Sequence, residues 1–265
     1  MFFLLLLAAP ARAVPSAACA PCHREIYLRY RRTPMALTSG APSGEDLARS
    51  AFTHAASGFR YRVSRDAAGL SVEFAKAAGG PRGSAALAWF VGSGATARSF
   101  LLADDGYLYE APVAWYRAAG KWDLAPGYDR YAYPFLTRPV LPACLHCHAT
   151  GVSPVAGTHN RYAAPPFAEP GIGCERCHGP GERHAASAKA ADIVNPARLA
   201  ADRRDSVCAQ CHLSGDVRLM RPGATWRTYR PGDRLADSVA VFVRAGGAAG
   251  ITVTSHVEKL AQFCT

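Results

Sequence analysis

The chain has 265 residues, 49% of them apolar and 19% charged, with a formal net charge of +10, which is enough for one large domain or two small ones. Its basic side chains are scattered, with Arg29, Arg31 and Arg32 as the one tight group, and no basic tract interleaves with aromatics, so the charge does not mark a nucleic-acid-binding chain. Beyond the first residues no apolar stretch is long enough to cross a bilayer, which excludes a transmembrane anchor.

The chain opens with MFFLLLLAAPARA, an apolar run from Phe2 to Ala9 followed by the small-x-small sequence Ala11-Arg12-Ala13. This predicts a secretory signal over residues 1–13, although a positively charged start is missing, and a mature protein beginning near Val14. In residues 14–58 a short helix is expected from Arg24 to Tyr30, ended before Pro34, and a second from Gly44 to Ser50 behind Ser43 as N-cap. Residues 59–135 change to strand patterning. Phe59–Val63 and Leu70–Phe74 alternate on either side of a turn at Asp66–Gly69, and Ser99–Leu102 and Tyr107–Glu110 flank a turn at Asp104-Asp105-Gly106. This predicts a small antiparallel insertion, with Trp89, Trp115, Tyr116 and Trp122 as sheet packing. Residues 136–265 are rich in Gly and Pro, with a short helix expected at Ala185–Ala191 and a strand at Val239–Val243.

Four C-x-x-C-H sequences punctuate the chain: Cys19/Cys22/His23, Cys144/Cys147/His148, Cys174/Cys177/His178 and Cys208/Cys211/His212. With 9 Cys and 9 His, composition alone would give about 0.01 such matches, so the spacing is not accidental. In this arrangement two thiols become thioethers to a porphyrin and the adjacent imidazole becomes an axial iron ligand. Zinc knuckles and redox dithiols use C-x-x-C but require no His after every second Cys, and a disulfide framework leaves the Cys-His adjacency unexplained. The expected cofactor is therefore four covalently bound haem c groups. Their propionates offset much of the positive charge and give the arginines bidentate partners. The expected fold class is α+β: a multihaem cytochrome c with little regular structure around clustered haems and a small antiparallel β-sheet insertion. The last three motifs follow one another at short intervals, whereas the first stands off in sequence.

The sixth position of each iron decides between electron transfer and catalysis, because a second protein ligand closes it. The histidines outside the motif positions are His54, His146, His159, His184 and His256. His146 lies inside its own attachment loop, which leaves it surface-exposed or ligating a neighbour. His184 follows His178 by six residues, a reach of at most about 20 Å that Gly179-Pro180-Gly181 shortens, so it should serve a different iron, with the second or fourth favoured over the first. For the first iron, His54 is favoured over Met35. His159 and His256 complete the set of candidate second ligands.

Several segments together resemble exported bacterial multihaem cytochromes c with a cytochrome c-552/4-like domain, some of which carry C-terminal tetratricopeptide repeats. These are Val91-Gly92-Ser93-Gly94, Arg98-Ser99-Phe100, Pro112 to Tyr116, Pro126-Gly127-Tyr128-Asp129, Cys174 to His184, Val194 to Arg198 and Cys208 to His212. The resemblance implies haem-based electron transfer, with His184 and His256 similar to axial ligands of that family. Two features depart from it. Ala95-Thr96-Ala97 stands where relatives often carry a histidine, and His256 to Thr265 looks like the approach to a further motif, with Cys264 left over and the chain truncated. The expected function is an exported, periplasmic or otherwise extracytoplasmic tetrahaem cytochrome relaying electrons between redox partner proteins, among them a membrane-associated redox complex, with most irons closed by two histidines. The alternative is a multihaem oxidoreductase acting on small nitrogen or sulfur compounds at one open iron. No C-x-x-C-K variant marks such a site.

Overall fold

The computed structural model describes residues 14–44, 47–213 and 215–242. The expected signal segment, His256 and Cys264 lie outside the described residues.

The first helix, α1 (Ala20–Tyr30), begins with Pro21 in its first turn, where a missing N–H costs nothing. A short strand β1 (Ser39–Gly40) follows. The second helix expected near Gly44 does not form over its described part: Leu47 to Ser50 is a turn with Arg49 at φ 55°, a conformation that stops a helix.

Strands β2 (Ala51–His54), β3 (Phe59–Asp66), β4 (Gly69–Lys76) and β5 (Arg82–Ala86) form a four-stranded antiparallel sheet in sequence order. Period-two alternation sets its faces: Phe59, Tyr61 and Val63 are buried while Arg60 and Arg62 stand in solvent. The hairpin between β3 and β4 keeps the register its sequence predicts, closing at Asp66 opposite Gly69, with Asp66 Oδ1 accepting from the Ala68 N–H at 2.8 Å. A second sheet takes β6 (Trp89–Val91), β7 (Ala97–Asp104), β8 (Tyr107–Tyr116) and β9 (Lys121–Leu124), with β1 on the far edge beside β6. Asp105 and Gly106 both have positive φ, 44° and 80°, as a two-residue turn matched to strand twist requires. The insertion is thus two sheets sharing one core, larger than the single small sheet expected. Strand β2 draws in residues assigned above to the N-terminal segment. Trp122 and Phe100, both fully buried, stack at 4.8 Å in its centre.

The remainder alternates short helices with two hairpins. Helix α2 (Pro142–His146) leads into β10 (Ala149–Pro154) and its antiparallel partner β11 (Tyr162–Pro170). Then come α3 (Glu175–His178), α4 (Glu182–Ser187), α5 (Ala201–His212), and β12 (Val217–Met220) paired with β13 (Val239–Phe242). Helix α4 starts three residues earlier than the Ala-rich stretch suggested and ends where Ala188 turns left-handed at φ 56°. The α+β class holds. A second core of Leu101, Leu108, Val140, Leu145, Ala149, Val152, Tyr162 and Phe167 joins β7 and β8 to α2 and the β10–β11 hairpin. Leu145, inside the second C-x-x-C-H loop, is fully buried there, so this motif is anchored to the sheet by its own spacer residue.

Candidate haem-binding site

Each C-x-x-C-H sequence lies on or at the end of a helix. His23 breaks α1 locally at φ −123°, ψ 40°, the second motif runs through α2 to the residues after it, the third through α3, and the fourth ends α5. All eight motif cysteines are free of disulfides.

Long-range hydrogen bonds draw the first motif onto the third. Tyr30 on α1 donates to Ile172 O at 2.7 Å, and Ile172 N–H donates to Met35 O at 3.0 Å. The Cys174 N–H donates to Ser16 Oγ at 3.0 Å, and that hydroxyl donates to Glu169 Oε2 at 3.0 Å. Gly171, at φ 71°, sits so close to Ala36 O that a Cβ would collide with it. The Cys19 and Cys174 thiols are near neighbours. Burial first, and then the nearby Cys174, pushes the Cys19 thiol up to about 11. The first motif therefore stands off in sequence and not in space.

Cys22 stands exposed on α1, whereas Cys19 is half-buried against Cys174. Cys177 is half-buried in α3. Burial raises the Tyr30 and Tyr229 phenols. In the other two motifs Cys144 is exposed and Cys208 half-buried.

The second and fourth motifs meet in the same way as the first and third. The Cys147 and Cys211 thiols are near neighbours. The nearby Cys211 and burial hold Cys147 far above the ordinary thiol range, while Cys147 and the guanidiniums of Arg176 and Arg218 draw Cys211 down to about 7. Gln210 Nε2 donates to Arg176 O at 2.8 Å, linking α5 to the third motif.

The imidazoles are oriented from their Nδ1 side. His148 Nδ1 meets Thr38 Oγ1 at 2.9 Å, His178 Nδ1 meets Val194 O at 2.8 Å, and His184 Nδ1 meets Lys189 O at 2.9 Å. For the two rings facing carbonyls, Nδ1 must carry the proton, which leaves Nε2 a lone pair for a metal. The Gly179-Pro180-Gly181 turn supports this aim: Gly179 ends α3 at φ 72°, and the Gly181 N–H is held by Glu175 Oε1 at 2.7 Å. The His184 ring then lies 6.1 Å from the His23 ring, centroid to centroid, with 20° between planes. The turn sends His184 to the first motif, not to the second or fourth as favoured from sequence, because α1 lies beside the segment that precedes α3.

His146 is neither surface-exposed nor positioned as a ligand. It is buried against Trp226 at 5.2 Å, and its Nε2 lies 2.7 Å from an Arg176 guanidinium nitrogen, so the lone pair accepts from arginine. Burial, reinforced by the charges of Arg176, Arg218 and Arg227, lowers it to about 3, keeping the ring neutral. His54 ends β2 with Nδ1 at 2.9 Å from Ser57 Oγ. His159 is exposed between β10 and β11.

These residues fit a haem. Helix α1 buries none of its side chains and exposes Ile26 and Leu28, with Met35 and Leu37 exposed just beyond, an apolar surface suited to a porphyrin face. Near the other motifs, Arg176 Nε, Arg218 Nε and Tyr229 OH are buried without hydrogen-bond partners among the described residues, donors of the kind a propionate carboxylate satisfies. The roles of Arg176, Tyr30 and Thr38 were not legible in the sequence, since each acts across a long chain separation.

Residues 134–179, which contain the second and third motifs whole, match the family described as Cytochrome c554 and c-prime. Among solved structures, the outer cell wall cytochrome OcwA is similar with a TM-score of 0.54 at 18% identity, over 87% of this chain and 45% of that one. The undecaheme cytochrome from the S-layer of Carboxydothermus ferrireducens is similar with a TM-score of 0.48 at 23% identity, over 80% of this chain and 27% of that one. The chain thus spans less than half the length of either. No curated protein matches it. The likeness to OcwA is one of fold, and the family match ties the cytochrome reading to residues 134–179.

Proposed function

We propose that the chain is an exported tetrahaem c-type cytochrome that passes electrons between redox partner proteins. Haem c would be attached through Cys19 and Cys22, Cys144 and Cys147, Cys174 and Cys177, and Cys208 and Cys211, with iron bound by His23, His148, His178 and His212. The exposure of Cys22 and the half-buried place of Cys177 leave both thiols within reach of a porphyrin edge laid on the helix surface. The observation that carries this reading is the His23–His184 pair. Rings 6.1 Å apart are too far for contact, which carbon atoms make at about 3.5–4.0 Å. Imidazole nitrogen binds first-row metals at about 2 Å, so two imidazoles trans to one ion have centroids roughly 6 Å apart. The separation supports a metal atom between them.

A haem c at these positions supplies one-electron chemistry at its iron. The chain's own residues fix the geometry: the carbonyls of Val194 and Lys189 and the hydroxyl of Thr38 set the tautomer and tilt of His178, His184 and His148. The thiol contacts of Cys19 with Cys174 and of Cys147 with Cys211, joined by the Gln210–Arg176 bond, support a spatial order of motifs one, three, four, two. The reading includes closed ligation of at least three irons, with His54, His159 and His256 left to supply second ligands besides His184. No described helix is long and apolar enough to cross a membrane. The fold likeness to OcwA, an outer cell wall cytochrome, supports export. Intact mass of protein matured in an exporting host should show four haem additions. Fewer than three would overturn the reading.

A further inference from the structure

The outer face of the four-stranded sheet carries a trough of about 630 Å³ lined by Arg60, Arg62, Glu73, Ala75, Arg82 and Ser84, with Phe74 and Gly83 at its side. It lies away from the C-x-x-C-H helices in the chain, and the electron-relay reading makes no use of it. Strand register builds it. Arg60, Ala75 and Arg82 stand in one row across β3, β4 and β5, and Arg62, Glu73 and Ser84 stand in the next. In the first row two arginines flank an alanine, their Cα atoms about 10 Å apart across two strand spacings. Both can lean over the small residue from opposite sides. All three arginines are exposed, and none of their guanidiniums has an ion-pair or hydrogen-bond partner among the described residues. Against three guanidiniums the trough sets one carboxylate, Glu73.

We infer that this trough docks an acidic, extended segment of a partner protein. Charge selects an anion, because planar guanidinium forks pair bidentately with carboxylates. Spacing selects an extended chain: Arg60 and Arg62 are alternate residues of one strand, about 6.8 Å apart, the same interval that separates alternate carboxylates on an extended peptide. The floor of Ala75 and Ser84 lets such a backbone approach. Single-stranded nucleic acid is disfavoured because it needs exposed aromatic platforms. The one ring at the trough, Phe74, packs toward the buried core beside Tyr61 and Gly83.

The test uses the haem-loaded chain and a fluorescent peptide of alternating Asp and Ala, read by anisotropy. Binding should weaken steeply as salt rises from about 0.05 to 0.5 M, since exposed pairs are screened. R60Q/R82Q should weaken it about tenfold, by loss of two charge-assisted pairs, with haem content and absorption spectrum unchanged. E73Q should strengthen it. Equal binding by R60Q/R82Q would overturn the inference, as would equal affinity for a peptide with its aspartates clustered at one end. So would displacement of the peptide by inorganic phosphate at equal charge concentration, which would mean a simple anion site, and so would preference for oligo-dT. Because haem content is read separately, failure here leaves the cytochrome reading untouched, and the reverse also holds.

Discussion

The thiols of Cys147 and Cys211, far apart in the chain, are near neighbours in the fold. Each belongs to a different C-x-x-C-H motif, so the two attachment sites abut at their thioether edges. If both carry haem, their paramagnetic ferric irons should broaden one another's EPR signals. C208A/C211A should remove one haem and sharpen the signal of the iron bound by His148. A signal from that iron that is already sharp in the wild type would contradict the adjacency.

Arg176 links the second, third and fourth motifs: it donates to His146 Nε2 at 2.7 Å and to His146 O at 3.1 Å, and its own carbonyl accepts from Gln210. R176Q should cost about 1.5–3 kcal/mol of stability, since a charged donor to a buried acceptor is lost. It should also lower the reduction potential of the nearest haem, because a nearby positive charge favours the reduced state. R176K should recover part of the potential but little of the stability, as a single ammonium cannot reproduce the fork. Thermal denaturation and a spectroelectrochemical titration measure the two effects, and an unchanged potential in R176Q would separate Arg176 from the haems.

Glu110 on β8 is raised above the ordinary carboxylate value by burial, only partly offset by Arg138 at 3.1 Å. A carboxyl whose folded value is raised binds its proton more tightly when folded. Its contribution to stability is therefore full below the unfolded value and declines as pH rises through the folded one. E110Q should flatten the stability–pH curve just above the ordinary carboxylate value. A wild-type curve that rises there, with E110Q showing the same rise, would contradict the assignment.

Much of the fold was legible where physics is local. The 59–76 hairpin followed from alternation plus an Asp-x-x-Gly turn, and the Asp105-Gly106 turn from its demand for positive φ. The helix expected after Ser43 was not legible, because an N-cap residue ahead of a weakly periodic stretch does not outweigh a local left-handed turn at Arg49. Cysteine and histidine spacing marked the four motifs because thioether chemistry is written into contiguous residues. That the His184 ring lies beside His23 was not legible, since it depends on Tyr30, Ser16 and Gly171 bringing α1 against the start of α3. No local sequence signal encodes that contact. For the same reason His146 looked like a surface or ligand histidine until Arg176, thirty residues away, proved to hold it.

Replacement of His184 tests the central claim most directly. H184A should keep all four haem additions by intact mass, since no thioether is touched, while one low-spin iron becomes high-spin by EPR and absorption. In a C19A/C22A background, which lacks the first haem, H184A should change no spin state at all. An unchanged spectrum in the single variant, or a new high-spin iron in the background without the first haem, would contradict the assignment of His23 and His184 to one iron.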